Sequence, residues 1–153
     1  MKKLILLTLF VAVTYISAYA KVYQQTANYF HHAQAQEHDG NYIEALKGLD
    51  KIELRIDEDY VGGYQQVIEA WEQSGMKPKP SFYYESQPKP KEIIGKMTNE
   101  QLDSFIDVYL ELDNKYVLEA AKLRYNRAIA KADTSVAEST AELLTEAFDY
   151  QLK

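Results

Sequence analysis

The stretch from Met97 to Lys131 constrains the fold most, because it joins a strong helix-start signal to the longest uninterrupted helical period in the chain. Thr98 and Gln101 have the spacing of a capping box, in which each side chain accepts a hydrogen bond from the other residue's amide. Apolar residues then recur at steps of three and four, and neither Gly nor Pro interrupts them: Leu102, Phe105, Ile106, Tyr109, Leu110, Leu112, Tyr116, Val117, Ala120 and Ala121. This period predicts one long amphipathic helix as the spine of the fold.

The first twenty residues have the organisation of a secretory signal peptide. Lys2 and Lys3 precede an apolar run over residues 4–13, and Ala18-Tyr19-Ala20 is a small-x-small motif of the kind signal peptidase recognises. The pattern predicts export across the inner membrane and cleavage after Ala20. We therefore expect a periplasmic protein with no stable membrane insertion, whose residues 21–153 form a single helical domain. An uncleaved N-terminal anchor is the alternative.

Charge and cysteine content narrow the choice of partner and compartment. The chain carries 17 basic and 23 acidic residues, for a formal net charge of −6, and this balance argues against a nucleic acid as partner. It has no cysteine, so an exported form must be stabilised by packing rather than by disulfides. That combination suits a periplasm better than a small disulfide-rich extracellular fold.

Residues 21–75 read as three N-terminal helices. The first ends at Asp39-Gly40, residue types that tolerate a turn, and Asn41 then caps a second helix with Glu44 in its first turn. A third helix follows an acidic triplet and ends at Gly75, with a weak point at Gly62-Gly63, after which it can instead begin. The expected apolar stripe of the second helix is Tyr42, Ala45, Leu46, Leu49, Ile52 and Ile56, and the triplet is Asp57-Glu58-Asp59.

The segment 29–57 resembles a single tetratricopeptide repeat. The similarity is carried by large and small residues at the repeat's spacing around a Gly-x-Tyr turn: Tyr29, Ala33, Gly40-Asn41-Tyr42, Ala45 and Leu49. An ordinary helical hairpin has the same pattern of apolar residues. The resemblance implies a helical scaffold that binds a peptide or protein in a concave groove.

Residues 76–96 change in composition and contain all four prolines of the chain. Because proline lacks an amide donor and disfavours helix in the residue before it, we expect an extended loop here. Its aromatic run Phe82-Tyr83-Tyr84 and the flanking lysines Lys79 and Lys89 are the candidate partner-binding residues, since a few aromatic anchors dominate interface energies. In the alternative interpretation, the aromatics dock on the helices and simply close the domain.

Beyond Lys131 the sequence predicts a C-terminal helix. Asp133, Thr134 and Ser135 all suit an N-cap, and Ser135 with Glu138 fits a capping box. The expected fold class is therefore all-α: a small antiparallel bundle of about four to five helices with one long Pro/Lys/Tyr-rich loop over 76–96, followed by a long helix and a C-terminal helix over 97–153.

No catalytic, metal or cofactor signature is present. His31 and His38 lie seven residues apart on one helix face and are the only candidates for a metal pair, but Ala35 lies between them and no third ligand follows. There is no cysteine nucleophile, and no serine lies in a recognisable catalytic motif. We expect neither an enzyme nor a cofactor.

Two binding functions agree with these features. The first is an adaptor or scaffold for a protein or peptide in the cell envelope, which the repeat-like hairpin and the Tyr-rich segment favour. The second is an immunity protein or inhibitor that neutralises a toxin or cell-wall hydrolase, which small size, export and acidity favour. A metal or small-ligand carrier is a third class and rests on the histidines alone.

Overall fold

The computed structural model describes residues 1–48 and 60–151, and all regular secondary structure in these ranges is α-helix. The helices are α1 (Lys2–His38), α2 (Tyr42–Lys47), α3 (Tyr64–Gln73), α4 (Ser81–Ser86), α5 (Lys89–Lys96), α6 (Asn99–Leu112), α7 (Val117–Ala130) and α8 (Thr134–Phe148). The predicted all-α class is confirmed. The described residues contain eight helices, more than the four to five predicted, because two segments expected to be a loop or a continuous helix are divided into shorter helices.

Contacts between residues divide the chain into two compact units, Met1–Lys89 and Pro90–Lys153, where the sequence indicated one domain. In the N-terminal unit α1 packs against α2, α3 and α4, and α3 also contacts α2 and α4. In the C-terminal unit α6 and α8 both pack against α7.

The core of the N-terminal unit is built from aromatic rings. Phe30, Tyr64, Trp71, Phe82 and Tyr83 are all buried, and they are joined by smaller apolar residues from α1, α2 and α3: Ala33, Ala45, Leu46, Val67 and Ile68. The Trp71 indole nitrogen donates to the Thr26 hydroxyl at 2.9 Å, so the polar atom of the largest core residue is satisfied inside the core.

Glycines shape two connections of this unit, the one before α2 and the one before α3. Asp39 closes α1 and Gly40 follows at φ +81°, as the sequence predicted for that turn. Gly63 immediately precedes α3, so the helix begins after the Gly62-Gly63 pair, and the Gln66 side chain accepts a hydrogen bond from the Gly63 amide at 2.8 Å. A Cβ on Gly63 would lie 2.6 Å from backbone atoms of α2, so the chain can pass there only as glycine.

Part of the second-helix prediction lies outside the described residues. Asn41 precedes α2 as expected, but its side chain donates to Gln36 instead of capping the helix. Leu49, Ile52, Ile56 and the triplet Asp57-Glu58-Asp59 fall in the range 49–59, which the structure does not describe.

The extended loop predicted for residues 76–96 is wrong, because most of this segment forms α4 and α5. Pro80 is the residue before α4, and Pro90 is the second residue of α5. Amides in the first turn of a helix have no helical acceptor, so a proline there removes no hydrogen bond. Pro80 and Pro90 therefore mark helix starts instead of excluding helices.

The single long helix predicted for Met97 to Lys131 is also wrong, although its start is confirmed. Thr98 and Gln101 form the expected capping box at the start of α6. The helix stops at Leu112, where the Asp113 carboxylate accepts a hydrogen bond from the Lys115 amide and Tyr116 takes a left-handed conformation at φ 70°. Asp side chains bond nearby backbone amides in this way and compete with the helix.

A tight turn separates α7 from α8. The Asp133 amide donates to the Ala128 carbonyl and the Ala132 amide to the Ile129 carbonyl, which are the two bonds of a Schellman motif with Ala132 at the left-handed position, φ 55°. The predicted break is confirmed, but the cap is Asp133, whose carboxylate accepts from the Val136 amide. Ser135 lies inside α8 and is not the cap.

The first half of α1 differs from every other described helix in being apolar and exposed. Within the described residues, α1 is the single helix long and apolar enough to cross a membrane, a property that signal sequences and membrane anchors share.

Candidate partner-binding groove

The structure separates the three aromatic residues proposed as partner contacts. Phe82 and Tyr83 are buried, with 8% and 4% of their surface exposed, and Phe82 packs against the rings of Tyr23, Phe30 and Trp71. Tyr84 is 58% exposed. Two of the three rings therefore belong to the core, as in the alternative interpretation, and Tyr84 alone remains available to a partner.

The two lysines of the same hypothesis have partners within the N-terminal unit. The Lys79 ammonium lies 3.0 Å from the Tyr83 hydroxyl and over its ring. Lys89 forms an ion pair with Glu37 at 3.0 Å, and the Tyr64 hydroxyl donates to the same carboxylate at 2.9 Å. This cluster ties Lys89, the last residue of the N-terminal unit, to α1 and α3, so its role is structural.

The histidines do not come together as a metal site. His31 and His38 are exposed on α1, and His32 lies 3.1 Å from the Glu44 carboxylate of α2. Across residues 1–48 and 60–151, no group of three or more His, Cys, Asp or Glu side chains is arranged to hold a metal ion.

An open groove in the C-terminal unit is the best candidate for a binding site. It runs between α6 and α8, has a volume of about 390 Å³, and has Arg124 of α7 at its base. Four apolar residues line it, two from each flanking helix: Ile106, Leu110, Val136 and Leu143. Its polar lining consists of Asp103, Asp107, Arg124, Ser139 and Thr140.

The base of the groove is fixed by a two-bond ion pair. Arg124 is buried and donates from Nε to Asp103 Oδ1 at 2.7 Å and from Nη2 to Oδ2 at 3.1 Å. The hydrogen bond to Asp103 raises the pKa of Arg124 above its ordinary value. Such a fork-shaped pair holds α6 and α7 in register and leaves the guanidinium in place as a rigid floor.

The outer side of α6 gives the groove an acidic edge. Glu100, Asp103, Asp107 and Glu111 follow at steps of three and four, so they lie along one side of the helix. Asp103 is compensated by Arg124, whereas Asp107 is exposed at the groove itself. The edge therefore has a net negative charge that favours basic groups on a ligand.

On α8 the two groove hydroxyls are occupied within their own helix. Ser139 and Thr140 both donate to the Val136 carbonyl, at 3.2 and 2.7 Å. The groove thus offers apolar side chains and carboxylates, without a paired nucleophile and base among its lining residues.

Sequence reasoning missed the groove because it treated α6 and α7 as one helix. Leu110 and Ile106 were assigned to the buried stripe, but Leu110 is only half-buried. The available signal was the pair Asp113-Asn114, residue types that favour turns over helix interiors. A helix end at these residues would have predicted two antiparallel helices in place of one, and α6 would then have an apolar side that α7 does not cover.

Comparison with known proteins adds no assignment, because no family model, curated protein or solved structure matches this chain.

Proposed function

We propose that this chain is an exported, non-enzymatic helical binding protein that holds a protein or peptide partner of the cell envelope. The observation that supports it is the groove between α6 and α8, with its apolar walls and acidic edge. The resemblance of residues 29–57 to one tetratricopeptide repeat points to the same class of function, although that segment lies in the other unit.

The partner that fits this groove is an amphipathic helix with basic residues beside its apolar face. Because α6 and α8 both pack on α7, a helix seated between them would complete a four-helix arrangement. Its apolar side chains would contact Leu110, Val136 and Leu143, and its basic side chains would face Asp107. The groove volume is at the low end of ligand pockets, so it takes a few side chains rather than a whole chain.

A matched pair of substitutions on α6 tests this proposal. Leu110 lines the groove, whereas Leu112 lies two residues away, 54% exposed and outside it. Leu110→Lys places a charge in the apolar groove and repels a basic partner, so we expect at least about a tenfold loss of partner capture from an envelope extract. Leu112→Lys adds the same charge to the same helix and should retain capture.

A photo-crosslinking residue in place of Val136 identifies what occupies the groove. We expect crosslinks to one partner, through a segment that is both amphipathic and basic. Equal loss of capture in the two lysine variants, or crosslinks to many unrelated proteins, would contradict the proposal. Melting curves of both variants show whether any loss of capture is due to unfolding.

A second candidate function, an inhibitor or immunity protein, is supported by the acidic edge of α6. Many toxins and cell-wall hydrolases that act on anionic polymers need a basic surface, and an acidic groove would speed capture of such a surface. The crosslinked partner separates the two candidates: an endogenous envelope protein indicates an adaptor, and a toxin or hydrolase whose activity falls on binding indicates an inhibitor.

A further inference from the structure

The cleavage motif predicted from the sequence lies in the middle of a helix. Helix α1 runs without a break from Lys2 to His38, and Ala18 and Tyr19 of the motif are partly buried. Proteases act most readily on exposed, flexible chain. A motif held in this way is a poor substrate for removal.

Two tyrosines of the predicted signal peptide contact the folded part of the N-terminal unit. The Tyr15 hydroxyl donates to the Lys77 carbonyl at 3.0 Å and accepts from the Lys77 amide at 3.2 Å. The Tyr19 hydroxyl donates to the Pro78 carbonyl at 2.9 Å, and its ring packs edge-on against Trp71 with centroids 5.4 Å apart. Since Trp71 is fully buried, cleavage after Ala20 would uncover a core residue.

The residues before these tyrosines have the opposite character. Large apolar side chains from Leu4 to Ile16 are all more than half exposed apart from Tyr15, at 47%. No charged residue lies between Lys3 and Lys21. An apolar surface of this size on all sides of a helix is not stable in water, and a helix of this kind is found inside a membrane.

We propose that α1 is retained as an N-terminal membrane anchor and that the lipid bilayer covers its exposed apolar surface. The 12 residues from Leu4 to Tyr15 rise about 18 Å as a helix, which is shorter than the roughly 30 Å of the hydrocarbon core. Local thinning of the bilayer and snorkelling of the flanking lysines accommodate a span of this length. Lys2 and Lys3 then lie on the cytoplasmic side, following the positive-inside rule. Tyr15 and Tyr19 lie near the opposite surface, where tyrosine is enriched.

This topology places the turn at Lys77 and Pro78 at the membrane surface, because the two tyrosines bond its carbonyls. Lys77 is exposed in that turn and would face the lipid headgroups. The anchor does not depend on the groove, since every contact that supports it lies within the N-terminal unit.

The first test measures the mass and location of the full chain, expressed with a C-terminal tag in a bacterial host. We expect a membrane protein that resists alkaline carbonate extraction and has the mass of all 153 residues plus the tag. Protease added to the periplasmic side should digest the tagged end. A soluble species lacking residues 1–20, or an intact species that carbonate releases, would overturn the anchor.

The second test concerns why the motif is not cleaved. The double variant Tyr15→Phe, Tyr19→Ala removes the three hydrogen bonds and the Trp71 contact while keeping the segment apolar, so we expect a cleaved, soluble fraction to appear. Thr14→Ala is the control, because the Thr14 hydroxyl bonds only the Phe10 carbonyl of its own helix. A double variant that stays full-length would overturn the protective role given to the two tyrosines.

Discussion

The two units of this protein have different cores. The N-terminal unit fills its interior with buried rings, among them Phe30, Trp71 and Phe82, and closes it with a buried hydrogen bond. In the C-terminal unit the core is mainly aliphatic, with Leu102, Ile106 and Leu144 packed beside small residues of α7, and Phe105 and Tyr109 are its buried rings. Small residues of α7 allow α6 and α8 to approach it closely. Three larger apolar residues, Leu110, Val136 and Leu143, remain partly exposed in the groove.

This difference suggests separate roles for the two kinds of apolar residue: the buried ones stabilise the fold, and the half-buried ones can contact a partner. Rings that are almost fully buried contribute to stability and are lost to recognition. Half-buried apolar residues beside carboxylates remain available to a partner, and covering them is what makes association favourable. Phe82 and Tyr83 of the Tyr-rich segment are thus part of a core, and the recognition surface that we propose lies in the unit with fewer aromatic residues.

The largest expected effect on stability is the difference between two alanine variants in the aromatic run of α4, one at a buried ring and one at an exposed ring. Phe82→Ala removes a ring from the centre of the N-terminal core and should destabilise the protein by about 3–5 kcal/mol, which lowers Tm by roughly 10–20 °C. Tyr84→Ala removes an exposed ring and should change stability by less than about 0.5 kcal/mol. Thermal unfolding followed by circular dichroism measures both. Similar melting temperatures for the two variants would mean that Phe82 is not a core residue.

A pair of Gly→Ala substitutions compares a tightly packed glycine in the N-terminal unit with a glycine in the C-terminal unit that has free space around it. Gly63→Ala brings a Cβ within 2.6 Å of the α2 backbone, which cannot move aside easily, so we expect a loss of about 3 kcal/mol. Gly95 of α5 has no atom within 4 Å of an added Cβ. Gly95→Ala should instead stabilise the helix by up to about 1 kcal/mol. Urea unfolding of the two variants checks the opposite signs.

Substitutions of two groove aspartates on α6 should have different effects, one on stability and the other on partner binding. Asp103→Ala leaves the buried Arg124 guanidinium without its carboxylate, and we expect a loss of about 2 kcal/mol in stability. Asp107→Ala removes an exposed charge and should leave stability almost unchanged while weakening capture of a basic partner. Measuring Tm and capture for both variants decides this. A stable Asp103→Ala protein would show that the ion pair is dispensable.

The sequence predicted features that depend on a few neighbouring residues. The capping box at Thr98, the turn at Gly40 and the break near Asp133 are each set by side chains within one turn of the chain, and the structure confirms them. The error over residues 76–96 came from counting prolines without their position. Pro80 and Pro90 lie at helix starts, where a missing amide donor is tolerated.

The groove could not be predicted in the same way. Its existence depends on where α6 ends and on which faces of α6 and α8 meet α7, and these are tertiary facts. Leu110 and Ile106 lie on the same apolar stripe in the sequence, yet Ile106 is 7% exposed and Leu110 is only half-buried. Periodicity identifies an apolar face but does not say whether a neighbour covers all of it.

A smaller effect is expected at the turn between α7 and α8. Ala132 occupies the left-handed position of a Schellman motif, where glycine is usual because it has no Cβ. Ala132→Gly should relieve backbone strain and, after the greater freedom of glycine in the unfolded chain is subtracted, stabilise the protein by roughly 0.5 kcal/mol. Ala130→Gly, inside α7, is the control and should destabilise it by up to about 1 kcal/mol.

The smallest expected effect is a pH dependence at the start of α6. Hydrogen bonding to the backbone amide and to the Thr98 hydroxyl lowers the pKa of Glu100 from its ordinary 4.5. A carboxyl group whose pKa is lower in the folded state contributes stability above pH 4.5, and this contribution is lost as the pH falls through the folded-state pKa. Glu100→Gln should therefore be slightly less stable than the natural chain at pH 7, and the difference should shrink as the pH falls below 4.5. Glu111→Gln makes the same change at the other end of α6, where a negative charge opposes the helix dipole, so it should not lower stability at pH 7. Denaturant unfolding at pH 7 and at a series of lower pH values checks this, and a Glu100→Gln deficit that does not shrink as the pH falls would show that packing, not ionisation, is the cause.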